Sequence, residues 1–120
     1  MDRRAFQLQA RAFKALSHPT RIAVLEMMRN GAICSCEVEP KLGLRQSNIA
    51  QHLAILRGSQ LVTSYRDGNR VMYDVVDPRI FEVIDMMNAI LHAQLEETAQ
   101  ALAPAAENVG RDGCVNVRRG

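Results

Sequence analysis

The chain has 120 residues, of which 48% are hydrophobic and 23% are charged, and its formal net charge is +2. This length suits one domain with a real core and is too short for a second one. No apolar run approaches the ~20 residues that span a bilayer, and the N-terminus lacks the apolar stretch and cleavage site of a signal peptide. We therefore expect a cytoplasmic protein with no membrane partner.

The first part of the chain predicts two helices. Residues 2–16 carry apolar side chains at helical spacing and form the first. Ser17 can cap the second helix, and Pro19 is tolerated in a first helical turn. The second helix stops at residues 30–31, an Asn-Gly pair typical of a helix end.

Two more helices follow, the second of which has two chemically different faces. A short third helix is predicted over residues 34–42. In the fourth, Ile49, Leu53 and Leu56 form an apolar stripe with i, i+4, i+7 spacing, and the helix ends near Gly58. The opposite face consists almost wholly of hydrogen-bonding side chains: Gln46, Ser47, Asn48, Gln51 and His52.

A hairpin and a long helix complete the predicted elements. Residues 61–66 and 70–75 are β-type runs around Asp-Gly-Asn, which is a strong hairpin signal. The last helix opens at Asp77-Pro78 and runs to about Ala103. Its main apolar stripe consists of Ile80, Ile84, Met87, Leu91 and Leu95. We expect a domain over residues 1–103 and a flexible tail over 104–120 that carries Cys114.

This order of elements predicts a mainly α fold with a small β-hairpin, the winged helix-turn-helix (α-α-α-α-β-β-α). A major groove admits one helix, whose side chains read base edges by hydrogen bonds. Residues 41–73 carry a net charge of +4 and residues 74–107 one of −6, so the basic middle suits a polyanion. A solvated helix face followed by an exposed hairpin is the alternative. The predicted DNA-binding residues are Lys41, Arg45, Gln46, Ser47, Asn48, Gln51, His52, Arg66 and Arg70.

Three segments in the same order resemble the ArsR/SmtB family of metal-responsive transcriptional repressors. They are residues 15–21 (ALSHPTR), 46–57 (QSNIAQHLAILR) and 66–73 (RDGNRVMY). The resemblance covers about residues 10–95. It implies a homodimer that binds an inverted repeat in double-stranded DNA and is released by an inducer. Arg45 departs from the family, because relatives often have a small hydroxyl residue there as helix cap.

The resemblance also implies that the first and last helices build the dimer. The residues support this, because the apolar surface of the last helix is wider than one small domain needs to cover. The alternative is that the first helix alone covers that surface. The predicted interface residues are Phe6, Phe13, Ile80, Ile84, Met87, Leu91 and Leu95.

Cys34 and Cys36 form a close pair of thiols just upstream of the polar-faced helix. Arsenic-responsive members of the family carry Cys-x-Cys-x-x-Cys here, and Glu39 stands at the third position. The resemblance thus favours As(III) or Sb(III) as inducer, with Cys114 as the third sulfur. Cd(II), Pb(II) and Zn(II) are further candidates, since Glu37 or Glu39 can add oxygen. On an ideal helix, i and i+2 point about 200° apart, so we expect ion binding to unwind the third helix.

Two alternatives for the cysteines stay open. A redox- or sulfide-responsive repressor uses Cys34 or Cys36 as the reactive thiol and Cys114 as its partner. Alternatively, the cysteines are small buried hydrophobic residues without a chemical role. An enzyme is not expected, because the chain has no glycine-rich phosphate loop and no nucleophile-base-acid set.

Overall fold

The computed structural model describes residues 2–101. The elements are α1 (Arg3–Ala15), α2 (Pro19–Met27), β1 (Ile33–Cys34), α3 (Ser35–Leu42), α4 (Gln46–Gly58), β2 (Val62–Asp67), β3 (Arg70–Val75) and α5 (Arg79–Ala101). The architecture is therefore mainly helical with a small antiparallel sheet, as the sequence predicts. Within the described residues, no helix is long and apolar enough to cross a membrane.

The apolar face of α4 lies at the centre of the core. Ile49, Leu53 and Leu56 are at most 1% exposed, and Val24 and Val38 from the neighbouring helices are fully buried. Contacts join α4 to α2, α3 and β2. The predicted stripe is confirmed, and its burial determines which side of α4 faces solvent.

The predicted hairpin is present, and it belongs to a three-stranded sheet of order β1-β3-β2. Asp67 pairs with Arg70, so Gly68 and Asn69 alone make the turn. Gly68 has φ 66° and Asn69 a negative φ, the pattern of a type II′ turn, which suits the twist of a hairpin. The strand β1 was not predicted. It has only two residues, Ile33 and Cys34, which pair with Tyr73 and Met72.

The caps of α2 and α3 differ from the expectation. His18, not Ser17, is the N-cap of α2: its Nδ1 accepts from the Thr20 N–H at 3.1 Å. The Ser17 hydroxyl instead donates to the Lys14 carbonyl. Helix α3 begins at Ser35, one residue later than predicted, because Cys34 has extended backbone and serves as its N-cap.

Residues 1–81 form one unit, and α5 continues from this unit into a second that begins at Glu82. The start of α5 is fixed by Asp77, whose carboxylate accepts from the Arg79 backbone N–H at 2.9 Å and from its guanidinium at 2.6 Å. These hydrogen bonds from Arg79 lower the pKa of Asp77 to about 2. Phe81 in the same turn is buried, and the Arg29 guanidinium lies 4.8 Å from its ring centroid.

The buried face of α4 gives a direct test of the core. We expect Leu53→Ala to lower the free energy of unfolding by about 2–5 kcal/mol, because it leaves a cavity among packed side chains. Ile55→Ala is the matched control on the same helix, where the side chain is 40% exposed. Its expected cost is about 0.5 kcal/mol. Urea unfolding at one protein concentration measures both, and equal costs would contradict the assignment of the core face.

Candidate nucleic-acid interface and cysteine pair

The polar face of α4 is directed at solvent. Gln46, Ser47, Asn48 and Gln51 are all exposed, whereas the apolar residues between them are buried. Together they offer amide and hydroxyl groups that both donate and accept hydrogen bonds, which is the chemistry needed to read base edges. They lie in the first two turns of α4, and Lys41 and Arg45 just before it are also exposed.

No side chain caps the N-terminus of α4. Arg45 occupies the N-cap position with extended backbone and makes no side-chain capping bond. This agrees with the departure noted in the sequence, since a guanidinium has no acceptor to offer the free N–H groups. An anion near this end meets uncapped N–H groups and the positive end of the helix dipole.

His52 differs from its neighbours on this face because it packs against α2. Its ring centroid lies 4.6 Å from that of His18, and its Nδ1 is 3.3 Å from Nη1 of Arg21. Desolvation lowers the pKa of His52, and electrostatic interactions with His18 and Arg21 act in the same direction. His52 is half-buried. The guanidinium of Arg21 can only donate, so Nδ1 is the accepting nitrogen, and in the neutral ring the proton then lies on Nε2.

Sequence reasoning missed the role of Arg21. Its Nε donates to the Ala15 carbonyl at 2.6 Å and its Nη2 to the Lys14 carbonyl at 3.4 Å. Arg21 therefore closes the C-terminal end of α1 and also reaches His52 on α4. The one signal in the sequence was that Arg21 lies in the 15–21 segment, close to the end of the first helix. An arginine near a helix C-terminus can donate to its free carbonyls.

The wing, defined as β2, β3 and the turn between them, presents two arginines near its tip. Arg66 and Arg70 are both exposed. The Arg70 guanidinium lies 3.4 Å from Oε2 of Glu37 on α3. The wing is thus positively charged at its tip, and one of its two charges is held by a carboxylate.

Cys34 and Cys36 are brought together by the structure and are joined as a disulfide. Cys34 is 4% exposed, whereas Cys36 is exposed. The Cys36 N–H donates to Sγ of Cys34 at 3.1 Å, and the Cys34 N–H donates to Oε2 of Glu37 at 2.8 Å. Cys34 is therefore tied to both Cys36 and Glu37 in the first turn of α3.

The expectation that the two sulfurs diverge on a helix is wrong. It placed both cysteines inside α3, but Cys34 lies outside it as the N-cap, with φ −85° and ψ 142°. The extended backbone at Cys34 turns its side chain towards Cys36. The sulfurs thus meet without any unwinding of α3.

A complete metal site is not formed by the described part of the chain. Within residues 2–101, no group of three or more His, Cys, Asp and Glu side chains could hold a metal ion. Glu37 and Glu39 therefore do not join the cysteine pair as ligands here. Cys114, the predicted third sulfur, lies outside the described residues.

Both predicted dimer helices expose apolar side chains. On α1, Phe6 and Phe13 are more than half exposed and lie seven residues apart, hence on one side of the helix. On α5, Met87, Leu91 and Leu95 are about half or more exposed, while Ile80 and Ile84 are half-buried. Apolar surface of this extent is typical of an interface.

Comparison with known proteins identifies similar regulators. Residues 18–64 match the family model of the bacterial regulatory protein, arsR family. The chain is 33% identical over 102 residues to Rv0081, an uncharacterised HTH-type transcriptional regulator of Mycobacterium tuberculosis, covering 81% of this chain and 86% of that protein. It is 35% identical over 75 residues to a probable mercury resistance operon repressor of Streptomyces lividans, covering 62% of this chain and 60% of that protein.

Solved structures show the same architecture. The crystal structure of Rv0081 matches with a TM-score of 0.73 at 31% identity and covers 82% of this chain and 99% of that one. A homodimeric winged helix-turn-helix DNA-binding domain from Mycobacterium bovis matches with a TM-score of 0.71 at 22% identity, covering 81% and 92%. The winged helix-turn-helix prediction is confirmed. These similar proteins are regulators of transcription, which agrees with the expectation of a non-enzyme.

The lowered pKa of His52 predicts a pH-dependent stability. As the pH falls through 6.5, the unfolded chain takes up a proton at this position before the folded chain does, so folding loses stability. We expect the free energy of unfolding to fall less between pH 7.5 and 5.5 in His52→Asn, whose amide oxygen can still accept from Arg21. Urea titrations across this range measure it. An equal fall in both proteins would contradict the assignment.

Proposed function

This chain belongs to the ArsR family of bacterial regulatory proteins, and from that premise we propose that it is a homodimeric, cytoplasmic transcriptional repressor released from its operator by a thiophilic ion at Cys34 and Cys36. Trivalent arsenic or antimony is the favoured inducer, with cadmium, lead or zinc as further candidates. The observation that carries the proposal is the proximity of the two cysteines at the start of α3, with Cα atoms 5.0 Å apart, which lets two thiolates reach one ion once the pair is reduced. Helix α3 precedes α4 in the helix-turn-helix.

The DNA-binding part of the proposal assigns α4 to the major groove. Its base-reading groups are Gln46, Ser47, Asn48 and Gln51, because they are exposed on one face while the other is buried. Arg66 and Arg70 at the wing tip, with Lys41 and Arg45 before α4, are proposed to contact phosphates. His52 supports α4 from the edge of this surface, where its free Nε2 proton remains available to an acceptor.

The dimer is proposed to form through α1 and α5, whose predicted interface residues are exposed or half-buried. A domain of the same fold is named as homodimeric, which is in keeping with a dimer here. A twofold dimer carries two copies of α4 and therefore fits an inverted repeat in the operator, with the two half-sites about one helical turn apart.

The inducer is proposed to bind as a thiolate complex. Each cysteine loses its proton to become a ligand, so binding is stronger at higher pH. A similar protein is named as a probable repressor of a mercury resistance operon, and mercury is also a thiophilic metal. Cys114 is proposed as the third sulfur for a trivalent metalloid.

The disulfide between Cys34 and Cys36 favours a second candidate, a thiol-based redox repressor. Here a hydroperoxide is the oxidant. The two thiols give up two protons and two electrons and form one S–S bond, while the O–O bond breaks to give water and an alcohol. Exposed Cys36 is the thiol that the oxidant reaches first, and buried Cys34 resolves it. Unlike the expectation from the sequence, this route needs no Cys114.

The assignment of α4 is tested by Gln51→Ala. Loss of one base-reading side chain is expected to weaken operator binding by about 5- to 150-fold, with little effect on a random duplex. Fluorescence anisotropy with a duplex selected in vitro from random sequence measures both. Gln7→Ala, an exposed amide on α1, is the matched control. If the two variants bind equally well while both remain dimers by light scattering, α4 is not the reading helix.

The nature of the signal is tested by releasing the DNA complex with arsenite, cadmium, zinc or hydrogen peroxide. Cys34→Ser and Cys36→Ser are expected to lose at least about tenfold in sensitivity, because each removes one of the two joined sulfurs. Cys114→Ser separates the two candidates. Metalloid release that weakens in this variant supports three-sulfur binding. Peroxide release that persists in it, with arsenite inactive on the wild type, supports the redox repressor.

A further inference from the structure

The Glu37 carboxylate lies between the cysteine pair and the wing. One of its oxygens, Oε2, accepts from the Cys34 backbone N–H at 2.8 Å and from Nη2 of Arg70 at 3.4 Å. The first bond caps α3 at the residue that carries a reactive sulfur. The second holds one of the two arginines at the wing tip. A single oxygen atom thus has one partner in each proposed functional region.

The backbone connects the same two places by a separate route. Cys34 in β1 pairs with Met72 in β3, two residues from Arg70 on the same strand. If this register continued, residue 36 would lie opposite Arg70, but the chain turns into α3 there instead. Cys34 and the backbone of Arg70 therefore lie on adjacent strands of the same sheet, two positions apart in the register.

We propose that Glu37 is a positioning residue that couples the state of the Cys34–Cys36 pair to the availability of Arg70 for DNA. This inference rests on the proposed function. It adds a route by which the signal reaches the wing, besides the route through α3 and α4. Glu37 and a DNA phosphate compete for the same guanidinium, so a firm hold by Glu37 weakens operator binding.

The state of the pair alters this hold through geometry. A disulfide places two sulfurs about 2 Å apart, whereas two thiolates on a zinc-like ion lie roughly 3.8 Å apart. Cys34 is the N-cap of α3, Cys36 lies in the first turn, and Glu37 follows directly in the same turn. The contact between Glu37 and Arg70 is present with the disulfide formed. Opening the disulfide shifts the Cys34 N–H relative to Glu37 and loosens the hold on Arg70, so the oxidised state is the one in which Arg70 is held. Release by a metal ion then acts through α3 and α4 alone.

The test is Glu37→Gln in the full-length chain. A glutamine side chain can keep the bond to the Cys34 N–H, because glutamine also serves in a capping box, but it loses the charge that holds Arg70. The matched control is Glu39→Gln. It removes the same charge two residues away on α3, from an exposed side chain that is not the partner of Arg70 in the ion pair.

The measurement is the dissociation constant for the selected duplex after treatment with dithiothreitol, hydrogen peroxide or cadmium alone. We define the release factor as the dissociation constant of the treated protein divided by the dissociation constant of the dithiothreitol-reduced protein. After peroxide treatment, the state in which Arg70 is held, Glu37→Gln is expected to bind DNA about two- to fivefold more tightly than the wild type, and its release factor under peroxide falls accordingly. In an Arg70→Gln background, Glu37→Gln is expected to change nothing further.

Two outcomes overturn the coupling. One is an equal release factor in Glu37→Gln and Glu39→Gln, while the wild type is still released; the proposed function then stands and Glu37 carries no signal. The other is an undiminished effect of Glu37→Gln in the Arg70→Gln background. A release factor of one in the wild type under peroxide also overturns the coupling, and if arsenite, antimonite, cadmium, lead and zinc give a factor of one as well, the proposed function is overturned with it. Thermal unfolding of each variant verifies that the α3 cap is intact.

Discussion

The burial of one face of α4 is the constraint on which the rest of the structure depends. Ile49, Leu53 and Leu56 have almost no exposed surface, so this helix cannot rotate about its axis without bringing polar groups into the core. The same burial orients Asn48 and Gln51 towards solvent. The proposed reading surface is therefore positioned by the buried side chains on the opposite face of the same helix.

The elements that could be predicted from the sequence are those whose signal is local. The stripe of α4 repeats with the helical period, and Gly68 marks a tight turn between two β-type runs. Strand β1 has no such signal, because two residues are too few to show a period, and it exists only through its pairing with β3. The error in the predicted start of α3 has the same cause, because Cys34 was assigned to the helix although it is the last residue of β1.

The candidate site was predictable in residue type but not in detail. Exposed polar residues on α4 and arginines on the hairpin follow from pattern. The contacts of Arg21 and Glu37 do not, because each joins positions far apart in the sequence: Arg21 reaches His52, and Glu37 reaches Arg70. Likewise, the meeting of the two sulfurs depends on the extended backbone at Cys34, a conformation that spacing alone does not reveal.

The short distance along the chain between Cys34 and Cys36 has a further consequence for the stability of the protein. A cross-link lowers the entropy of the unfolded chain according to the length of the loop that it closes. For residues only two positions apart, this effect is about 1.6 kcal/mol, against about 4.7 kcal/mol for a loop of 100 residues. The bond can therefore form and break while the folded state keeps most of its stability. A pair placed this way contributes little as a structural cross-link, which suits the chemical role proposed for it.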